Sequence, residues 1–195
     1  MSQPATDHRR ATAERNVAAI LDAAERLLSR GAATSIVAVA AEAGVSRVTV
    51  YGHFPAREDI LEAVVERATR GAAAAVDAAE PERGPPREAL ERLVAASWSE
   101  LTRHLSAGRA AAEQLNPDVE RRAHEPILRR VRALVERGRE AGDFRTDVPA
   151  EWLVAMMLAL SHAAADEVRA GRLDADAAGR ALGVTLRAAM SPGSG

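Results

Sequence analysis

Apolar side chains recur every three or four residues along most of this sequence, and that period leaves the α-helix as the regular structure able to gather them on one face. Val17, Ile20, Leu21, Ala24, Leu27 and Leu28 form one such stripe, and Ile60, Leu61, Val64, Val65, Ala68, Ala72 and Val76 form another. Val and Ile nowhere alternate with polar residues between turn residues, as a strand would require. Aromatic residues are 3% of the chain against 47% apolar residues. The core is therefore aliphatic and rich in Ala, the strongest helix former. The expected fold is all-α.

Glycine, proline and capping residues cut the pattern into about nine helices. They are expected near 14–29, 35–43, 46–53, 57–79 and 87–106. A short helix lies between Gly108 and Asn116-Pro117, one has Pro126 in its first turn and Gly142 at its end, and the last two cover about 150–170 and 175–190. Residues 1–13 read as a flexible arm, 14–56 as a small three-helix domain, 57–190 as a larger helical domain, and 191–195 as a disordered tail. The chain has no Cys, no apolar leader and no stretch of about 18 apolar residues, so the expectation is a cytoplasmic protein with no membrane partner. The first 57 residues carry seven Arg against five acids, and the rest carry nineteen against twenty-three, a mildly basic head on an acidic body. There is no Lys, so every phosphate contact made by a fixed cation is made by a forked guanidinium.

The informative stretch is 33–60. Two short helices joined by Ala43-Gly44-Val45-Ser46 have the form of a helix-turn-helix. Gly44 can take a positive φ, Val45 pins the turn to the core, and Ser46 can cap the second helix. The N-terminal end of that helix, with Arg47, Val48 and Thr49, is then free to enter a DNA major groove.

The residues Ile20-Leu21-Asp22-Ala23-Ala24, Gly31, Thr34, Val39-Ala40, Ala43-Gly44-Val45-Ser46, Thr49-Val50-Tyr51-Gly52-His53-Phe54 and Arg57 to Leu61 together resemble the DNA-binding domain of TetR-family regulators. The resemblance covers about 14–62. It implies that Thr34 and Ser35 offer hydroxyl and amide groups to phosphate, and that Tyr51 and His53 also touch the backbone. Arg57, where the family usually has Lys, would grip a phosphate. Arg47 and Thr49 would face base edges. Val48 stands where the family often has Gly and is assigned to a thymine methyl in preference to the core. Gly52 lacks a side chain that many relatives carry, so one base contact is missing from that position.

The same resemblance implies a C-terminal body whose last two helices pair with their twins in a homodimer and whose middle helices enclose an effector cavity. Leu153, Ala155, Met157, Ala159 and Ala163, with Ala178, Ala181, Leu182, Thr185 and Leu186, are the candidate dimer residues. Trp98, Leu101, His104, Leu105, Gln114, Leu128, Val131, Met156, Leu160 and His162 are the candidate effector lining. Glu100 with His104, Glu120 with His124, and His162 with Asp166 are each four apart, a spacing that ion pairs on a helix surface explain as well as metal does. No metal and no cofactor are expected. No Gly-rich phosphate loop, Cys nucleophile or Glu-x-x-His pair suggests an enzyme. The reading is a repressor that leaves a palindromic operator when a small, largely apolar effector binds; the alternative is a dimeric DNA-binding regulator that answers to no small molecule.

Overall fold

The computed structural model describes residues 4–115 and 117–192, so the first three positions of the expected arm and the last three of the expected tail lie outside the described residues. Among the described residues the regular structure is entirely helical. The elements are α1 (Pro4–Ser29), α2 (Ile36–Ala43), α3 (Arg47–His53), α4 (Arg57–Ala79), α5 (Pro86–Glu100), α6 (Ser106–Ala112), α7 (Pro117–Glu140), α8 (Ala150–Arg169) and α9 (Ala175–Met190), with a π-helical turn at Leu101–Leu105 between α5 and α6.

Three boundaries differ from the sequence reading. Helix α1 begins ten residues early, so the described part of the expected arm is helical. Pro4 suits a first helical position, Ala5, Ala11 and Ala13 favour the helix, and the Arg10 guanidinium meets Glu14 one turn on at 2.9 Å. Pro126 lies inside α7 rather than in its first turn, because Pro117 already occupies the start. Lacking an N–H, Pro126 leaves one carbonyl of the preceding turn without its helical partner. The helix expected over 87–106 stops at Glu100. There the Thr102 hydroxyl donates to the carbonyls of Trp98 (3.2 Å) and Ser99 (3.1 Å), competing for backbone acceptors where the helix widens into the π turn.

The chain divides into two compact units. The first comprises the residues through Arg67 with Ala107–Val119; the second comprises Ala68–Ser106 with the residues from Glu120 on. The sequence boundary at 56/57 thus falls within the first unit. In that unit Ile20, Ala24, Leu27 and Leu28 of α1 pack on Val39 and Ala40 of α2, Val50 of α3 and Ile60, Leu61 and Val64 of α4, and Ala107, Ala111 and Ala112 of α6 complete the core. Arg26 and Arg30 both reach Glu42, at 2.8 and 2.9 Å, tying α1 to α2. Their hydrogen bonds, that from Arg26 foremost, hold the Glu42 carboxyl below its ordinary range.

In the second unit Leu90 and Leu93 of α5, Leu134 and Val135 of α7, Leu153 and Met157 of α8 and Leu182, Leu186 and Met190 of α9 share one core. The Pro-rich turn after α4 is held by arginines. Arg92 donates to the carbonyls of Ala79 (3.1 Å) and Arg83 (2.6 Å), Arg137 donates to that of Pro81 (2.6 Å), and Arg130 bonds Glu82 (2.6 Å) and Asp77. Phe144 closes the same core over Gly138 of α7. A Cβ at Gly138 would overlap Cδ2 and Cε2 of Phe144, and the ring is 3% exposed with no room to retreat. Gly138→Ala is therefore expected to cost about 2–3 kcal/mol through overpacking. That corresponds to a fall in melting temperature of roughly 5–10 °C by calorimetry. An unchanged melting temperature would show that the ring can move aside.

Candidate DNA interface and effector groove

The turn between α2 and α3 is built by local chemistry. Gly44 has φ 69°, and it lets the Val45 amide reach back to the Ala40 carbonyl at 3.0 Å, closing α2. At the other end of α2, Ser35 Oγ accepts from the Ala38 amide at 3.2 Å. Ser46 Oγ accepts from the Thr49 amide at 3.0 Å, and its hydroxyl also pairs with that of Thr49 at 2.8 Å. Val50 is fully buried and fixes the orientation of α3 against α1 and α4. The opposite face of α3 is thereby turned outward. Val48 is 81% exposed and Tyr51 56% exposed, and Arg47 is exposed with no ion pair or hydrogen bond to a described residue. A Cβ at Gly52 would meet nothing within 4 Å, so that position opens on solvent.

This arrangement brings Ser46, Arg47, Val48, Tyr51 and Gly52 to one outward surface, with His53 half-buried at the end of α3. Val48 takes no part in the core. Thr49 is half-buried and its hydroxyl is engaged by Ser46, whereas Arg47 and Val48 are exposed. Thr34 corrects the sequence reading. It is 2% exposed, and its hydroxyl donates inward to the Ala32 carbonyl at 3.4 Å, so it has no hydroxyl to offer a phosphate. Ser35, beside it, is exposed. The carbonyl of Thr34 has a different use: it accepts from Nε of Arg57 at 3.1 Å. Arg57 opens α4, whose first amides are helped by Asp59, whose carboxylate accepts from the Ala56 amide at 2.7 Å. The Arg57 guanidinium also donates through Nη2 to Oε1 of Gln114.

Gln114 thus belongs to the first unit, not to an effector cavity in the second. The other candidate lining residues are likewise redistributed. A groove of about 710 Å3 runs along the second unit between α5, α9 and the turn at Asp143-Phe144. Of the sequence candidates Trp98 lines it; Leu101, His104, Leu128, Val131, Met156, Leu160 and His162 do not, and the side chain of Leu105 lies outside the described residues. Leu90, Val94, Phe144, Leu186 and Met190 give it an apolar floor. Arg87 paired with Asp143 (3.1 Å) and Arg187 paired with Glu91 (3.3 Å) stand at its rim. Two helical glycines, Gly179 and Gly183, keep it open. A Cβ at Gly179 would lie 2.7 Å from Nε1 of Trp98, which donates to the Ala175 carbonyl at 2.9 Å, whereas one at Gly183 would meet nothing within 4 Å. Glycine weakens a helix, and a pair of them one turn apart in α9 was the available sequence signal for a groove there.

The candidate dimer residues also separate into two sets. Ala155, Ala159 and Ala163 on α8 and Ala181 and Thr185 on α9 are exposed. Leu153, Met157, Ala178, Leu182 and Leu186 are buried in the core of their own unit and have no surface left for a partner. Trp152 (62% exposed) and Leu158 on α8 and Val184 (63% exposed) on α9 are exposed apolar residues that the sequence reading did not single out. Among the described residues no cluster of three or more His, Asp or Glu is arranged to hold a metal ion, and no helix is long and apolar enough to cross a membrane.

Comparison with known proteins agrees with this geometry. Residues 20–64 match the family model described as bacterial regulatory proteins, tetR family, and residues 86–167 match that of the tetracyclin repressor-like C-terminal domain. The HTH-type transcriptional repressor LfrR of Mycolicibacterium smegmatis is 40% identical over 81 residues, which is 42% of this chain and 43% of that protein, so the match spans less than half of that relative's length. The TetR family regulator PfmR of Thermus thermophilus superposes with a TM-score of 0.74 at 25% identity, over 87% of this chain and 97% of that one. LfrR from Mycobacterium smegmatis, crystallised in complex with proflavine, superposes with a TM-score of 0.72 at 24% identity, over 91% and 97% of the two chains. With an all-helical fold, a capped and outward-facing α3, and both family models matching in order along it, the chain belongs to the TetR family of bacterial regulatory proteins.

Proposed function

We propose that this protein is a transcription repressor that binds a palindromic operator as a homodimer and leaves it when a small, largely apolar effector occupies the second unit. The observation that carries the DNA reading is α3: Ser46 caps it, Val50 anchors it, and Arg47, Val48 and Tyr51 face outward together. An exposed Arg with no competing partner suits the O6 and N7 acceptors of guanine, and an exposed Val suits a thymine methyl. The role as repressor follows from the likeness to LfrR. A cytoplasmic location follows from the DNA target.

The dimer reading rests on the outward faces of α8 and α9. Small residues at Ala155, Ala159, Ala163 and Ala181 permit close helix approach, and Trp152, Leu158 and Val184 leave apolar area to be buried. A helix-turn-helix read twice across a two-fold axis has the symmetry of a palindrome. The effector reading rests on the groove over Trp98, whose size and apolar floor suit a small organic molecule.

Selection from a randomised duplex pool by fluorescence anisotropy at two salt concentrations tests the first part. Enrichment of a palindrome, with binding weakened by salt, supports it, and failure to enrich any sequence overturns it. For the effector, proflavine is the first compound to try, being the ligand of the LfrR complex. Gly183→Leu adds an apolar side chain to the groove at a position where a Cβ meets nothing within 4 Å. The variant is expected to keep operator affinity within about two-fold and to raise the effector concentration needed for release by roughly ten-fold or more. Release at unchanged effector concentration would place the effector elsewhere.

A further inference from the structure

We propose that Gln114 is a positioning residue for DNA binding, holding the Arg57 guanidinium in the orientation that meets a backbone phosphate. The inference rests on the reading of Arg57 as a phosphate contact.

An arginine side chain at the start of a helix is ordinarily a mobile chain with many rotamers. Here it is held at two separate nitrogens. Its Nε–H donates to the Thr34 carbonyl at 3.1 Å, and Nη2 donates to Oε1 of Gln114. Two bonds on a rigid planar group restrict its rotation, and one N–H of Nη2 and one of Nη1 share an edge that is left for an acceptor. Glu58 approaches that edge only loosely, at 3.7 Å, and is itself well exposed. A phosphate is a stronger acceptor and replaces that contact readily.

Gln114 is suited to this role by the way its own amide is spent. Nε2 donates to the Ala110 carbonyl at 2.9 Å, one turn back, which leaves Oε1 as the end that faces Arg57. The platform beneath it is firm, because Ala107, Ala111 and Ala112 are buried in the core formed by α1 and the start of α4, with Ala110 and Leu115 packed against it. Gln114 itself is exposed and fills no space in that core, so packing gives no other reason for the contact. Preorganising a cation before DNA arrives removes the ordering cost from the binding step.

The test is a double-mutant cycle on the full-length protein, using Gln114→Leu, Arg57→Ala and both together. The readout is anisotropy of a labelled random-sequence duplex over a range of salt, since phosphate contacts act on any sequence. Arg57→Ala is expected to weaken binding and to lower the salt slope by about 1 per DNA-bound subunit. Gln114→Leu is expected to weaken binding by about 3- to 10-fold when Arg57 is present, the net range of an ordinary hydrogen bond. It is expected to have no effect when Arg57 is already Ala, and to leave the melting temperature unchanged. Equal weakening by Gln114→Leu in both backgrounds, or none in either, overturns the positioning role while leaving Arg57 as a contact. Wild-type affinity and salt slope in Arg57→Ala remove the phosphate reading itself, and the proposal with it.

Discussion

Replacing Arg47 and Tyr51 together by Ala is expected to lower operator affinity by at least about a hundred-fold, because a bidentate base contact is worth roughly 1–3 kcal/mol and a palindrome loses it twice. Both side chains are exposed and neither supports the core, so the folded protein should melt at its normal temperature. If Arg47 reads bases and Tyr51 reaches the backbone, as proposed, specific binding should fall more than non-specific binding and the ratio between them should shrink. Anisotropy titration of the selected operator and of a scrambled duplex, side by side, measures both. A double variant that still selects the same palindrome with the same affinity would mean that α3 is not the reading helix.

A second large effect is expected from charging the outward faces of α8 and α9. Ala159→Arg with Val184→Arg puts two cations on each protomer where apolar area and small side chains now lie. Both positions are solvent-exposed within the protomer, so its fold has room for them. Across a two-fold interface the new charges meet their own copies, and burying unpaired like charges costs several kcal/mol. Sedimentation should show the wild type at twice the chain mass and the variant at the chain mass. The two half-sites are then no longer bound as one unit, and operator affinity falls by about 10²–10⁴ at equal subunit concentration. A variant that remains dimeric would move the interface to another face of the second unit.

Much of the candidate DNA site was legible because its construction is local. The Gly44 turn, the Ser46 cap and the inward Val50 all lie within one seven-residue stretch, and the helical period sorts inward from outward. The direction of the Thr34 hydroxyl was not legible, because the position that starts a helix does not tell which way a hydroxyl points; here it turns back to the Ala32 carbonyl. The effector lining was not legible for a related reason. Apolar residues at helical spacing on α7 and α8 were equally good candidates for core and cavity, and of the candidates Val131 is buried in the core. A groove lies where Gly179 and Gly183 leave α9 without side chains.

By itself the sequence determined the helical class, the helix-turn-helix, its caps and the close of α2, since each rests on hydrogen bonds and periodicities that span one or two turns. Tertiary structure decided which of two apolar faces on α8 and α9 became core and which stayed outside, and it lodged α6 in the first unit. It also carried Gln114 to Arg57 across 57 positions of chain. Those choices depend on how helices distant in sequence fill one another's grooves. Packing of that kind is set by the whole three-dimensional arrangement, and no local pattern encodes it.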